Sequence, residues 1–98
     1  MTYKEFKENV EDLGLKVFTL NIIVCVNNDK YNPIYYVGTK KRYDVYPSNE
    51  FYNLDESSQK KLFGLVNELA KTPLDERGEL EWRINLDIQW LMKNLNKK

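Results

Sequence analysis

The most constraining feature of this chain is a change of hydrophobic period. Residues 3–13 place Tyr3, Phe6, Val10 and Leu13 at helical spacing. From Leu15 that spacing gives way to "KVFTLNIIVCVNN", rich in β-branched residues, with apolar side chains at the even positions Phe18, Leu20, Ile22, Val24 and Val26. That is strand periodicity, and it predicts one apolar face along the run, with Asn21 marking a bend. A helical stripe returns after Asp55, where Leu62, Phe63, Leu65, Val66, Leu69 and Ala70 cover one broad side. Helix, then strands, then helix is the order of an α+β fold. The expected architecture is a small single domain over residues 1–98. It has an N-terminal helix, an antiparallel meander of three or four strands, one long helix packed on the sheet, and room for a C-terminal strand.

Local signals set the joints. Thr2-Tyr3-Lys4-Glu5 is a capping box, and Gly14 is suited to a left-handed cap after Leu13. "NNDKYNP" is dense in turn formers. "IYYVGT" and "RYDVY" read as strands flanking Lys40-Lys41 in a tight hairpin. Asp55 is the expected N-cap of the long helix, and Gly64 beside its apolar side is expected to pack closely on the sheet. Pro73 disfavours helical geometry at Thr72 and ends that helix. In "TPLDERG", Thr72 suits an N-cap, Pro73 a first helical position and Asp75-Glu76 a first turn, with Arg77-Gly78 at its far end. The segment therefore reads as a self-capped turn joining two elements. Beyond it, Trp82, Ile84, Leu86, Ile88, Trp90 and Met92 alternate with polar residues, predicting a strand over about residues 81–88. Leu80, Ile84, Ile88, Leu91 and Leu95 fit a helix as well.

Composition narrows the chemistry. Fifteen basic and fifteen acidic side chains cancel, and each half of the chain balances separately. Neither an acidic DNA mimic nor a strongly basic nucleic-acid binder is written this way. Cys25 is the single cysteine, so no internal disulfide and no cysteine-built metal site forms; in Ile-Val-Cys-Val it reads as a small buried strand residue. The sequence holds no His, the usual acid–base residue at neutral pH, and no Gly-rich phosphate loop. Asp75, Glu76, Glu79 and Glu81 cluster, but acids so close in a connector read as a solvated face. No catalytic residue, cofactor or metal is expected. A charged, amphipathic N-terminus and the absence of a spanning apolar run point to a cytoplasmic protein without membrane contact.

Two surfaces stand out. In "YYVGTKKRYDVY", Lys40, Lys41 and Arg42 lie beside Tyr36 and Tyr43, a pairing of cations with aromatics that suits phosphate contact and base stacking or a protein partner. The second is a set of aromatics in or beside loops, Tyr31, Tyr46, Phe51 and Tyr52, joined by Glu76, Arg77, Trp82 and Trp90 as candidate protein contacts. Self-association through an edge strand or the two tryptophans is a further expectation, and oligomeric state stays open.

The order "TYKEFKENVEDLGLKV", "YYVGTKKRYDVY", "LDESSQKKLFGLVNELAKTPLDERGE" resembles small uncharacterised proteins encoded in phage and prophage genomes of Gram-positive bacteria. "KRYDV" and "LAKTPLDERGE" carry most of the likeness, which covers roughly residues 1–83. The resemblance implies a non-enzymatic phage accessory protein in the host cytoplasm that binds a host or phage protein, in particular an inhibitor of a defence system of the CRISPR–Cas kind. The alternative is a nucleic-acid-binding accessory protein using the Lys40–Arg42 hairpin.

Overall fold

The computed structural model describes residues 1–20 and 22–80. Helix α1 (Tyr3–Glu11) leads into strands β1 (Lys16–Leu20), β2 (Ile23–Asn27), β3 (Pro33–Gly38) and β4 (Val45–Pro47), followed by helix α2 (Glu56–Lys71). Short 3-10 helices lie at Asn49–Asn53 and Leu74–Glu76. The strands form one antiparallel sheet in chain order, β1-β2-β3-β4. This is the α+β arrangement expected from the change of period. Phe6 and Val10 of α1 and Leu62, Val66 and Leu69 of α2 close over Val17, Val24, Val26 and Val37 to make the core.

Both helices start on side-chain caps. The Glu5 amide donates to the Thr2 hydroxyl (3.1 Å) and the Thr2 amide to the Glu5 carboxylate (2.9 Å), completing the capping box. The Ser58 amide donates to Asp55 at 2.7 Å. Gly14 takes φ +85° just past α1, as its position suggested. Hydrogen bonds from the Thr2 backbone and side chain hold the Glu5 carboxyl below its ordinary pKa, and bonds from the Ser58 hydroxyl and amide do the same for Asp55. A carboxyl whose folded pKa is depressed stabilises the fold above its unfolded value and stops doing so as pH falls through the folded one. Melting temperature is therefore expected to drop on acidification below the usual carboxylate range. Asp55→Asn with Glu5→Gln should flatten that acid limb in a pH series of melts. A variant limb as steep as the native one rules the caps out as its source.

The β1–β2 connection corrects one expectation. Leu20 pairs with Ile23, so only two positions separate the paired strands and every cross-strand pair matches an even with an odd position. Val17 and Thr19 thus share the core face with Val26 and Val24, while Phe18 and Leu20 share the outer face with Cys25 and Ile23. The even positions from Phe18 to Val26 do not form one apolar face; the two-position separation moves the first half to the opposite side. Further along, Val26 pairs with Tyr35 and Asn27 with Pro33, leaving Ile34 as the extra residue of a bulge. Ile34 and Tyr35 both enter the core as a result.

Two residues of α2 also depart from expectation. Phe63 points to solvent, and Gly64 is exposed, with no atom within 4 Å of where a Cβ would stand. Gly64 does not pack on the sheet; it opens a shallow groove of about 420 Å³ against Asn9 of α1 and Leu13 just after it. A mid-helix glycine with free space around it costs about 0.5–1 kcal/mol relative to Ala. Gly64→Ala should raise the unfolding free energy by that amount, read as a higher urea midpoint at constant slope. A lower midpoint would show that the helix requires a bare backbone there.

Candidate functional site

The last carbonyls of α2 organise the surface around them. A helix leaves its final carbonyl groups without intrahelical donors, and Pro73 has no amide to offer. The donors come from Arg77 shortly after the helix and from Arg42 and Tyr43 of a remote loop. The Tyr43 amide donates to Ala70 O (3.1 Å), and the Arg42 guanidinium donates to Lys71 O. Arg77 donates through Nε to Thr72 O (3.0 Å), through Nη2 to Ala70 O (3.1 Å) and through Nη1 to Gly38 O at the end of β3 (3.1 Å). Its own carbonyl accepts from the Tyr3 amide (2.7 Å), and its guanidinium lies 5.9 Å from the Tyr3 ring centre. A cation there is also favoured by the negative end of the α2 dipole.

Arg77 is 0% exposed, so its place among the surface contacts is corrected: it is an internal clamp joining α1, β3 and α2. The neighbouring turn is corrected with it. Thr72 is the C-cap of α2 and its hydroxyl donates back to Glu68 O (2.8 Å), so it does not cap the turn after Pro73. The 3-10 helix Leu74–Glu76 has Pro73 at its N-cap and no side-chain cap. Asp75, Glu76 and Glu79 are exposed; Glu81 lies outside the described residues. Among the described residues no group of three or more His, Cys, Asp or Glu is placed to hold a metal ion, and no helix is long and apolar enough to cross a membrane.

The same carbonyls reshape the β3–β4 connection. A tight hairpin at Lys40-Lys41 is not what forms. Six residues, 39–44, separate the strands, and Arg42 and Tyr43 leave the sheet to reach the end of α2. Tyr43 takes φ +61° to do so. The loop is tied at its base by the Gly38 amide on Asp44 O (2.7 Å) and by the Thr39 amide and hydroxyl on Ile22 O (3.0 and 2.7 Å). Lys40 and Lys41 stay exposed at its tip. Arg42 is exposed too, but its guanidinium is engaged with Lys71 O and sits 5.2 Å from the Tyr43 ring centre. Of the expected three-cation patch, Lys40 and Lys41 have no partner among the described residues and Arg42 does.

The loop and the two elements that follow it carry three exposed tyrosines. Tyr43 is 65% exposed, Tyr46 on β4 60% and Tyr52 on the following 3-10 helix 64%. Tyr46 lies on the edge strand β4, Tyr43 in the loop before it and Tyr52 on the 3-10 helix after it. Tyr46 shares a hydrogen bond with Asp44, which holds its phenol above the ordinary pKa. Phe51 is not available to a partner: it is buried, edge-on to Tyr35 (5.2 Å, 90°) and to Tyr52 (5.2 Å, 84°). Tyr36 is half-buried on the outer face, and Tyr31 is exposed at the far end of β3 with its ring 5.7 Å from that of Phe18. Trp82, Trp90 and the strand expected over residues 81–88 lie outside the described residues.

The sequence reading missed one feature. Leu20, Ile22 and Ile23 are exposed together at the β1–β2 turn. The signal was present in the apolar residues on both faces of "NIIVCV", but it becomes legible only once the turn length is known. Compared with models of known protein families, with curated proteins and with solved structures, the chain matches none.

Proposed function

We propose that the chain is a binding protein, not an enzyme, and that it grips another protein through the exposed tyrosines on and beside its edge strand. The observation that carries this reading is the trio Tyr43, Tyr46 and Tyr52, each at least 60% exposed on one ten-residue stretch. Tyrosine supplies a large, stiff contact area with a polar tip, the chemistry of interface hot spots. Strand β4 is only three residues long and ends at Pro47, which blunts pairing through the backbone and leaves the side chains to make the contact. The resemblance to phage and prophage proteins supports a protein of the bacterial host or of the phage as the partner, met in the host cytoplasm. Inhibition of a defence system of the CRISPR–Cas kind is the specific form of this reading.

The test is capture from a nuclease-treated lysate of a Gram-positive host. Wild type is expected to retain a defined protein, and the Tyr43→Ala, Tyr46→Ala, Tyr52→Ala triple variant to lose it while melting within a few degrees of wild type. Each hot-spot tyrosine carries about 2 kcal/mol or more, so the triple loss should be all but complete. Equal capture by both proteins, or turnover of a substrate by the pure protein, overturns the reading.

A second reading rests on Lys40 and Lys41, exposed beside Tyr43. Two lysines on two phosphates predict nucleic-acid binding whose log–log salt slope is about −1.8. Absence of binding to DNA and RNA at low salt removes it.

A further inference from the structure

We propose that Tyr43 is the anchor of the exposed tyrosine surface and that the protein surface it enters is acidic, a step that rests on the binding reading above. Among the described residues two that are not glycine take positive φ, Tyr31 at +64° and Tyr43 at +61°. Left-handed backbone is rare for a bulky side chain, and Gly or Asn takes it at less cost. The ring of Tyr31 lies 5.7 Å from that of Phe18, so the fold itself uses that side chain. Tyr43 is 65% exposed, and among the described residues the one cation or ring set near its own is the Arg42 guanidinium, 5.2 Å from its centre. Tyr46, by contrast, is hydrogen-bonded to Asp44, and Tyr52 lies edge-on to Phe51. Backbone strain held under a side chain that the fold does not use marks a functional position.

The surroundings hold that residue in place. The Tyr43 amide donates to Ala70 O (3.1 Å) and the Arg42 guanidinium to Lys71 O, which fastens the loop to the end of α2. The Gly38 amide on Asp44 O (2.7 Å) fastens it to β3 on the other side of Tyr43. A tyrosine fixed on both sides has little ordering entropy left to lose on binding, which suits an anchor. Charge selects the partner. Lys40, Lys41 and Arg42 precede Tyr43 and are exposed, and Lys71, whose carbonyl Arg42 holds, is exposed as well. Asp44, the one acid of residues 39–44, is engaged with Tyr46. Cations gathered beside an exposed aromatic fit a carboxylate-rich protein surface. A nucleic acid would call for a chain with a basic excess, and here fifteen charges of each sign cancel.

Stability and binding test this separately. Urea unfolding should place Tyr43→Gly at a higher midpoint than Tyr43→Ala, because both lack the ring and only glycine relieves the backbone. The reverse order overturns the proposal without reference to any partner. For binding, the probe is the protein that the wild-type chain retains from the nuclease-treated lysate, measured over a dilution series of the bait. Tyr43→Gly is expected to weaken retention about thirtyfold or more, and by more than Tyr46→Ala or Tyr52→Ala. Lys40→Glu with Lys41→Glu should weaken it too. So should raising the salt from about 0.1 M to about 1 M, which cuts the screening length from about 10 Å to about 3 Å. Retention by Tyr43→Gly, with loss in Tyr46→Ala or Tyr52→Ala, overturns the anchor and leaves the binding reading standing. Retention insensitive to charge reversal and to salt overturns the acidic partner. Equal retention by the triple tyrosine variant, or none by the wild type, removes the binding reading and this proposal with it. Material that only an untreated lysate supplies gives the loop to a nucleic acid instead.

Discussion

Arg77→Ala is expected to lower stability by about 3–5 kcal/mol, enough to unfold a marginal domain of this size. Ala70 O keeps the Tyr43 amide, but Thr72 O and Gly38 O lose the arginine that donates to them. A buried acceptor left without its donor costs about 1–3 kcal/mol, and the space vacated by a large side chain adds a cavity term. Arg77→Lys keeps the charge but offers one nitrogen where the guanidinium fork reaches three carbonyls on two elements, so it should recover only part of the loss. Urea unfolding at constant slope measures both variants. A shift below about 1 kcal/mol for the alanine variant would mean that the carbonyls find other donors and that the clamp is incidental.

The second large effect is expected at Gly38. A Cβ built there would stand 2.8 Å from Asp44 Cγ and 3.0 Å from Asp44 Cβ. Asp44 cannot simply move away, because its carbonyl accepts from the Gly38 amide and its side chain is hydrogen-bonded to Tyr46. Overpacking of this kind costs about 1–3 kcal/mol, so Gly38→Ala should destabilise by that amount. Asp44→Gly removes the obstructing atoms, and a double-mutant cycle should show the two changes coupled, with the double variant more stable than the sum of the singles predicts. Additive losses would place the cost of Gly38→Ala in the backbone and not in the contact with Asp44. The pair also bears on the exposed tyrosines, since Asp44 stands between Tyr43 and Tyr46 at the point where the chain rejoins the sheet.

Much of the fold was legible residue by residue because its signals are local. The capping box at Thr2 and Glu5, the left-handed Gly14, the Asp55 cap and the stop before Pro73 each depend on atoms within a few positions of one another. The apolar stripes of α1 and α2 and the meander of four strands follow from periodicity, which is likewise local. Of the candidate site residues, Tyr43, Tyr46 and Tyr52 are exposed. Phe51 and Arg77 are not, since burial is decided by what arrives from elsewhere in the chain.

By itself, then, the sequence determined the types and order of the elements, their caps, and a balanced charge that disfavours any single-sign partner. The tertiary structure alone decided which face each strand residue took, because the two-position separation after Leu20 exchanges odd for even positions. It also decided the fate of the charged run "DER". Nothing nearby distinguishes Arg77 from Glu76, yet one is buried and the other exposed. The difference is that the end of α2 and the end of β3 converge there, both with carbonyls that need a donor, and only a guanidinium spans them.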